Sequence, residues 1–87
     1  MSKDYIVREG ILDVLEITFI MNVMRKKKMR NEFWRTKMVN NRKRIVANES
    51  ELRNLYDFFQ NYNAKGKKII VTIILNKLEA FFISLEK

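Results

Sequence analysis

Ten of the residues in the stretch 25–44, RKKKMRNEFWRTKMVNNRKR, are lysine or arginine, and Glu32 is the only acid among them. Burying an unpaired charge is strongly unfavourable, so this block has to stay at the surface and the core has to be gathered from the segments on either side of it. The rest of the chain holds eight bases and nine acids, so the net charge of +8 is concentrated in under a quarter of the 87 residues. Charge concentrated in this way is an electrostatic footprint for a polyanion, and phosphate backbones are the commonest polyanions a small protein meets. Phe33 and Trp34 lie inside the block. Unpaired bases stack on aromatic rings and on guanidinium planes, so the pair makes the block more than a solubility device.

The length allows one domain, 1–87, which buries only somewhat more than about 60% of its unfolded surface. With 47% apolar residues and ten aromatics (six Phe, three Tyr, one Trp) the chain is too hydrophobic to be a disordered basic tail. It has no cysteine and no histidine. Disulfides, Cys/His zinc sites, thiol nucleophiles and histidine acid/base chemistry are therefore excluded, and no cofactor or metal is implied. The N-terminus lacks a signal-peptide apolar region, and the longest apolar-rich run, 11–24, is interrupted by Asp13, Glu16 and Asn22. No segment approaches the roughly 20 apolar residues of a membrane span, which leads to the expectation of a cytoplasmic protein without membrane contact.

Tyr5, Ile6 and Val7 read as a short strand, with Gly10 as the break after it. Over 13–24 the odd positions Leu15, Ile17, Phe19, Met21 and Val23 are all apolar, and this two-residue period predicts a strand with one face on the core. A helix competes, because Ile11, Leu15 and Phe19 also fall at helical spacing. Residues 25–30 read as an exposed loop, since four consecutive cations repel one another. Strands follow over 31–39 and 42–47, joined at Asn40-Asn41, where asparagine tolerates the positive φ of a tight turn. In such a hairpin Arg35, Lys37, Arg42 and Arg44 line one solvent face with Phe33 among them, while Trp34, Thr36 and Met38 take the other.

Asn48, Glu49, Ser50 and Glu51 open a helix that carries Leu52, Leu55, Phe58, Phe59 and Tyr62 at helical spacing and closes at Gly66. The β-branched run 69–75, IIVTIIL, predicts a strand covered on both faces, and Asn76-Lys77 turns it into a last strand over 78–86. The expected fold is α+β, a mostly antiparallel sheet of about five strands with one main helix, in the order β-β-β-α-β-β. Phe81 and Phe82 lie on opposite sides of that last strand, so it is either central in the sheet or pairs with a second copy, and a homodimer is expected.

RNA is favoured over duplex DNA, because no helix-turn-helix or basic-zipper pattern is present and a basic sheet face with aromatics suits single-stranded or irregular RNA. Arg25, Lys26, Lys27, Lys28 and Arg30 are the expected phosphate contacts; Arg35, Lys37, Arg42 and Arg44 line the platform; Lys43 is a further nucleic-acid-binding candidate; Phe33 or Trp34 stacks. Trp34 has an equally good structural reading, packed in the core beside Met38, which makes Phe33 the better stacking candidate. Two other readings compete. A histidine-free ribonuclease working with Lys, Arg and Tyr would resemble RelE-like toxins in size and charge, although their helices generally precede the sheet. A protein with an acidic face would be steered by the same charge without any nucleic acid.

The absence of cysteine and proline, the abundance of Lys, Asn and Ile, and the basic block at 25–44 together resemble the small basic accessory and anti-defence proteins of T-even-type bacteriophages. Among these is the RNA-binding inhibitor of the ToxN endoribonuclease. The resemblance is one of composition, so it assigns no functional residue. It implies an inhibitor or accessory factor that acts in the host cytoplasm on an RNA-bound host enzyme, with a host protein as partner.

Overall fold

The computed structural model describes residues 3–63 and 65–87. The chain runs β1 (Asp4–Ile6), α1 (Val14–Lys26), β2 (Arg35–Val39), β3 (Arg42–Asn48), α2 (Glu49–Gln60) and α3 (Lys68–Leu85). It is an α+β fold, but with three helices and one three-stranded antiparallel sheet of order β1-β3-β2, in place of the five strands and single helix expected.

Three strands of the expected five are parts of helices, for reasons that lie in the side chains. The segment 13–24 alternates in pairs, but it buries Glu16, Ile17, Ile20, Val23 and Met24, the i, i+1, i+4, i+7, i+8 stripe of a helix. Its start is written locally: the Asp13 N–H donates to Glu16 Oε1 at 2.9 Å, one half of a capping box. Leu15, part of the competing helical stripe, is on the exposed side. The expected strands 69–75 and 78–86 are one 18-residue helix, and Asn76-Lys77 lies in its middle without a turn. Val71, Ile74, Leu78 and Phe82 form its buried stripe. Apolar residues on both faces conceal the 3.6-residue period, and with no Gly or Pro to interrupt the run, its length decides for the helix. The strand on which the homodimer expectation rested is therefore absent.

The other elements follow the sequence more closely. The Asn40-Asn41 turn forms with φ of 52° and 65°, the two left-handed residues of a type I′ hairpin, and Val39 pairs with Arg42 across it. In α2 the Asn48 side chain accepts from the Glu51 N–H at 2.8 Å while Glu51 Oε1 accepts from the Asn48 N–H at 2.9 Å, a closed capping box. This helix ends at Gln60, and Gly66 lies beyond it, at φ 71° in the connection to α3.

One face of the sheet, with Tyr5, Ile45 and Ala47, packs on the core, where the Tyr5 ring meets Phe81 of α3 edge-on at 4.9 Å between centroids. The same buried cluster takes Ile20 and Val23 from α1, Leu52, Leu55 and Phe59 from α2, and Ile74 and Leu78 from α3. Lys77 fastens α3 to the start of α1: its Nζ donates to Glu16 Oε1 at 2.6 Å and to Asp13 Oδ2 at 3.0 Å. Among the described residues no helix is long and apolar enough to cross a membrane.

Helices of 13, 12 and 18 residues make up about half the chain, so far-UV circular dichroism should show strong minima near 208 and 222 nm; a sheet-dominated spectrum would contradict the fold. The hydrogen bonds to Glu16 and Asp13 raise the Lys77 pKa above its usual value. A lysine raised on folding lends stability that is complete below the unfolded pKa of about 10.4 and is lost as pH rises through the folded value. Urea unfolding between pH 9 and 12 should accordingly show wild type losing stability more steeply than Lys77→Met.

Candidate nucleic-acid interface

The basic block divides at Phe33 and Trp34, which are both 3% exposed. Phe33 and Trp34 both belong to the core cluster, and the Phe33 ring lies 5.6 Å, centroid to centroid, from Phe58 of α2. Neither presents a free ring face, which corrects their assignment as stacking residues. Trp34 takes its structural reading, though not beside a buried Met38, whose side chain is exposed. The cations on either side form two separate patches.

The first patch is the hairpin. Residues directly opposite in an antiparallel pair share a face, and β2–β3 pairs Arg35 with Val46, Lys37 with Arg44, and Val39 with Arg42. Arg35, Lys37, Arg42 and Arg44 thus lie on the sheet face away from the core, as the alternation predicts. Lys43, opposite Met38, falls on the other face.

Within that face the four cations differ. Arg35 crosses above Val46 of the central strand to β1, where Nη1 donates to Asp4 Oδ2 at 3.4 Å and Nη2 pairs closely with Asp4 Oδ1. Its Nη2 and Nε also donate to Glu51 Oε1 at 2.9 and 3.2 Å. These hydrogen bonds, first Glu51 and then Asp4, hold the guanidinium pKa above its already high value, and Arg35 in turn lowers that of Asp4. Arg35 is thereby corrected from platform to scaffold. Lys37 reaches Asp4 at 3.6 Å, whereas Arg42, Lys43 and Arg44 have no carboxylate partner among the described residues. Like charges directly opposite on a sheet destabilise it, and Lys37 faces Arg44. An anion placed between them would relieve that repulsion.

The second patch is the C-terminal end of α1 and the turn after it. Lys28 N–H donates to Arg25 O at 3.1 Å and Met29 N–H to Met24 O at 2.9 Å, with Lys28 at φ 52°, the hydrogen bonds of a Schellman motif. Glycine is the residue this position favours, and a lysine there carries a backbone penalty of about 1 kcal/mol. Arg25, Lys26, Lys27, Lys28 and Arg30 are exposed and form no ion pair among the described residues. Cations here favour the helix dipole, which gives Arg25 and Lys26 a structural role as well.

Beside this turn is a cleft of about 290 Å³ lined by Phe19, Asn22, Val23, Lys26, Tyr62, Asn63, Lys65 and Lys67. Lys27 Nζ stands 5.5 Å from the centre of the Tyr62 ring. Tyr62, half-buried and stacked on Phe58 at 5.8 Å between centroids, and the exposed Lys65 and Lys67 extend the patch, none of them among the sequence candidates. The signal was the KGKK run at 65–68, a second cluster of lysines in the chain. Among the described residues, no group of three or more acids is placed to hold a metal ion. Compared with known proteins, the chain matches no family model, no curated protein and no solved structure.

Lys28→Gly separates fold from interface. Relieving the left-handed lysine should raise unfolding stability by up to about 1 kcal/mol in urea melts, while removing the charge weakens polyanion binding. A variant that gains stability and binds as before would take Lys28 out of the site.

Proposed function

We propose that the protein binds RNA without cleaving it, through the cations flanking the α1 turn and those on the hairpin. The observation that carries the reading is the distribution of ion pairs. Of the ten cations in 25–44 only Arg35 and Lys37 meet a carboxylate among the described residues, so eight keep their charge uncompensated by an ion pair there. Arg25, Lys26, Lys27, Lys28 and Arg30 contact phosphates at one patch, and Lys37, Arg42 and Arg44 at the other. With Phe33 and Trp34 buried, the stacking role passes to Tyr62, and unpaired nucleotides are the form of RNA that this ring and the two asparagines of its cleft suit. In the setting that the phage resemblance implies, the bound RNA belongs to a complex with a host enzyme, which the protein reaches through that RNA.

A protein-only partner with an acidic surface is the second reading, favoured by the same uncompensated charge and by the withdrawal of Phe33 and Trp34 from the surface. Pull-down from host extract with and without ribonuclease distinguishes the two: capture lost on digestion supports RNA, and capture that survives supports an acidic protein. A ribonuclease would degrade the RNA probe when incubated with it alone.

With about six phosphates neutralised, affinity for a short single-stranded RNA should fall by roughly 300-fold between about 50 and 200 mM salt. Reversing Lys26, Lys27 and Lys28 to glutamate should weaken binding to all sequences, whereas Tyr62→Leu should weaken single strands and leave duplex nearly unchanged. Fluorescence anisotropy measures both; a flat salt response overturns the proposal.

A further inference from the structure

A helix with one apolar face is complete when that face is buried, but α3 has two. Opposite its buried stripe, Ile69, Ile73, Asn76, Ala80 and Ile83 follow one another at spacings of four, three, four and three, the heptad seam of a helix that packs on another helix. All five are exposed; Ile69 is 80% and Ile83 52% accessible. Solvent alone gives no reason for isoleucine at three of these positions.

The seam is self-complementary about its midpoint. Turned end for end on a second copy, it places Asn76 against Asn76, each Ile73 against an Ala80, and each Ile69 against an Ile83. Large residues then meet small ones near the centre, and two amides meet on the symmetry axis, where each can donate to the other. Parallel alignment would stack Ala80 on Ala80 and leave a gap. Charge favours the same arrangement. Lys67 and Lys68 stand at the N-terminus of α3, the wrong end for cations, and an antiparallel copy brings Glu86 and the negative end of its own α3 beside them. The cation flanking the axis, Lys77, is already matched within its own subunit by Asp13 and Glu16.

We propose that this face of α3 is covered by the same face of a second copy, antiparallel, with the two-fold axis at Asn76. The seam is about 21 Å long. A single helix pair of that length lies at the small end of specific interfaces, so the dimer should exchange with monomer in the micromolar range. Two copies of charge +8 repel, so added salt strengthens the dimer. RNA binding responds to salt in the opposite sense, so either proposal can fail without the other.

Sedimentation velocity of the full chain, freed of nucleic acid in about 300 mM salt, should show the average mass rising from monomer towards dimer between about 1 and 100 µM. The double variant Ile69→Glu with Ile83→Glu should stay monomeric with an unchanged circular dichroism spectrum. The chain has no cysteine, so single cysteines report orientation directly. With a short bismaleimide, Asn76→Cys should link to itself and Ile69→Cys should not, while Ile69→Cys mixed with Ile83→Cys should. A monomer at every concentration overturns the proposal, as does Ile69→Cys linking to itself without Asn76→Cys doing so.

Discussion

β3 is the strand on which the molecule is assembled, because both of its edges are hydrogen-bonded and its last residue is the cap of a helix. Side chains alternate across a sheet, so a strand paired on both sides has to supply two environments at once. Ile45 and Ala47 go to the core; Arg42, Arg44 and Val46 go to the other face. Val46 is nevertheless 2% exposed, and Arg35, its partner across β2–β3, reaches past it from β2 to Asp4 of β1. The same guanidinium meets Glu51, whose carboxylate also receives the Asn48 N–H. A single acid thus closes the cap of α2 and ties that helix to the edge strand. Exposed ion pairs are individually weak, but here Arg35 joins all three strands and a helix in one network.

This economy of acids shapes the surface. Asp4, Asp13, Glu16 and Glu51 are engaged by Arg35, Lys37 and Lys77, all in scaffold contacts between elements. Among the described residues no carboxylate pairs with the cations of the α1 turn or the hairpin tip, so their charge is not neutralised by direct contact. Concentrated charge of one sign raises the local concentration of an anionic partner and speeds its approach. The left-handed Lys28 fits this picture: the fold accepts a strained residue at a helix end where glycine would be easier, and gains a cation at the mouth of the α1 turn.

How far the fold could be read from the sequence depended on whether each segment carried its own punctuation. Asn40-Asn41 and Asn48 to Glu51 are local chemistry, a positive-φ turn and a capping box, and both form as read. Asp13 to Glu16 is the same kind of signal, but it does not enter the reading of this segment, and the two-residue alternation of 15–23 points to a strand where the chain forms α1. In α3 no local signal was available: isoleucine and valine prefer strands, and apolar residues on both faces erase the periodicity that separates helix from strand. Phe33 and Trp34 lie among charged neighbours in sequence but do not share their exposure, and nothing in the local pattern foretold that the core would take both in, Phe33 against Phe58 of α2.

The sequence by itself determined where the charge surplus lies, which chemistries the missing cysteine and histidine exclude, and that residues 35–48 make a hairpin with four cations on one side, because composition and turn geometry are properties of neighbouring residues. Only the tertiary structure decided which of those cations remain free, that Lys65, Lys67 and Tyr62 join the α1 turn, and that α3 turns an apolar stripe outwards. Each of these depends on partners far apart in the chain, brought together by the burial of a common core, and pairing of that kind leaves no mark in the local order of residues.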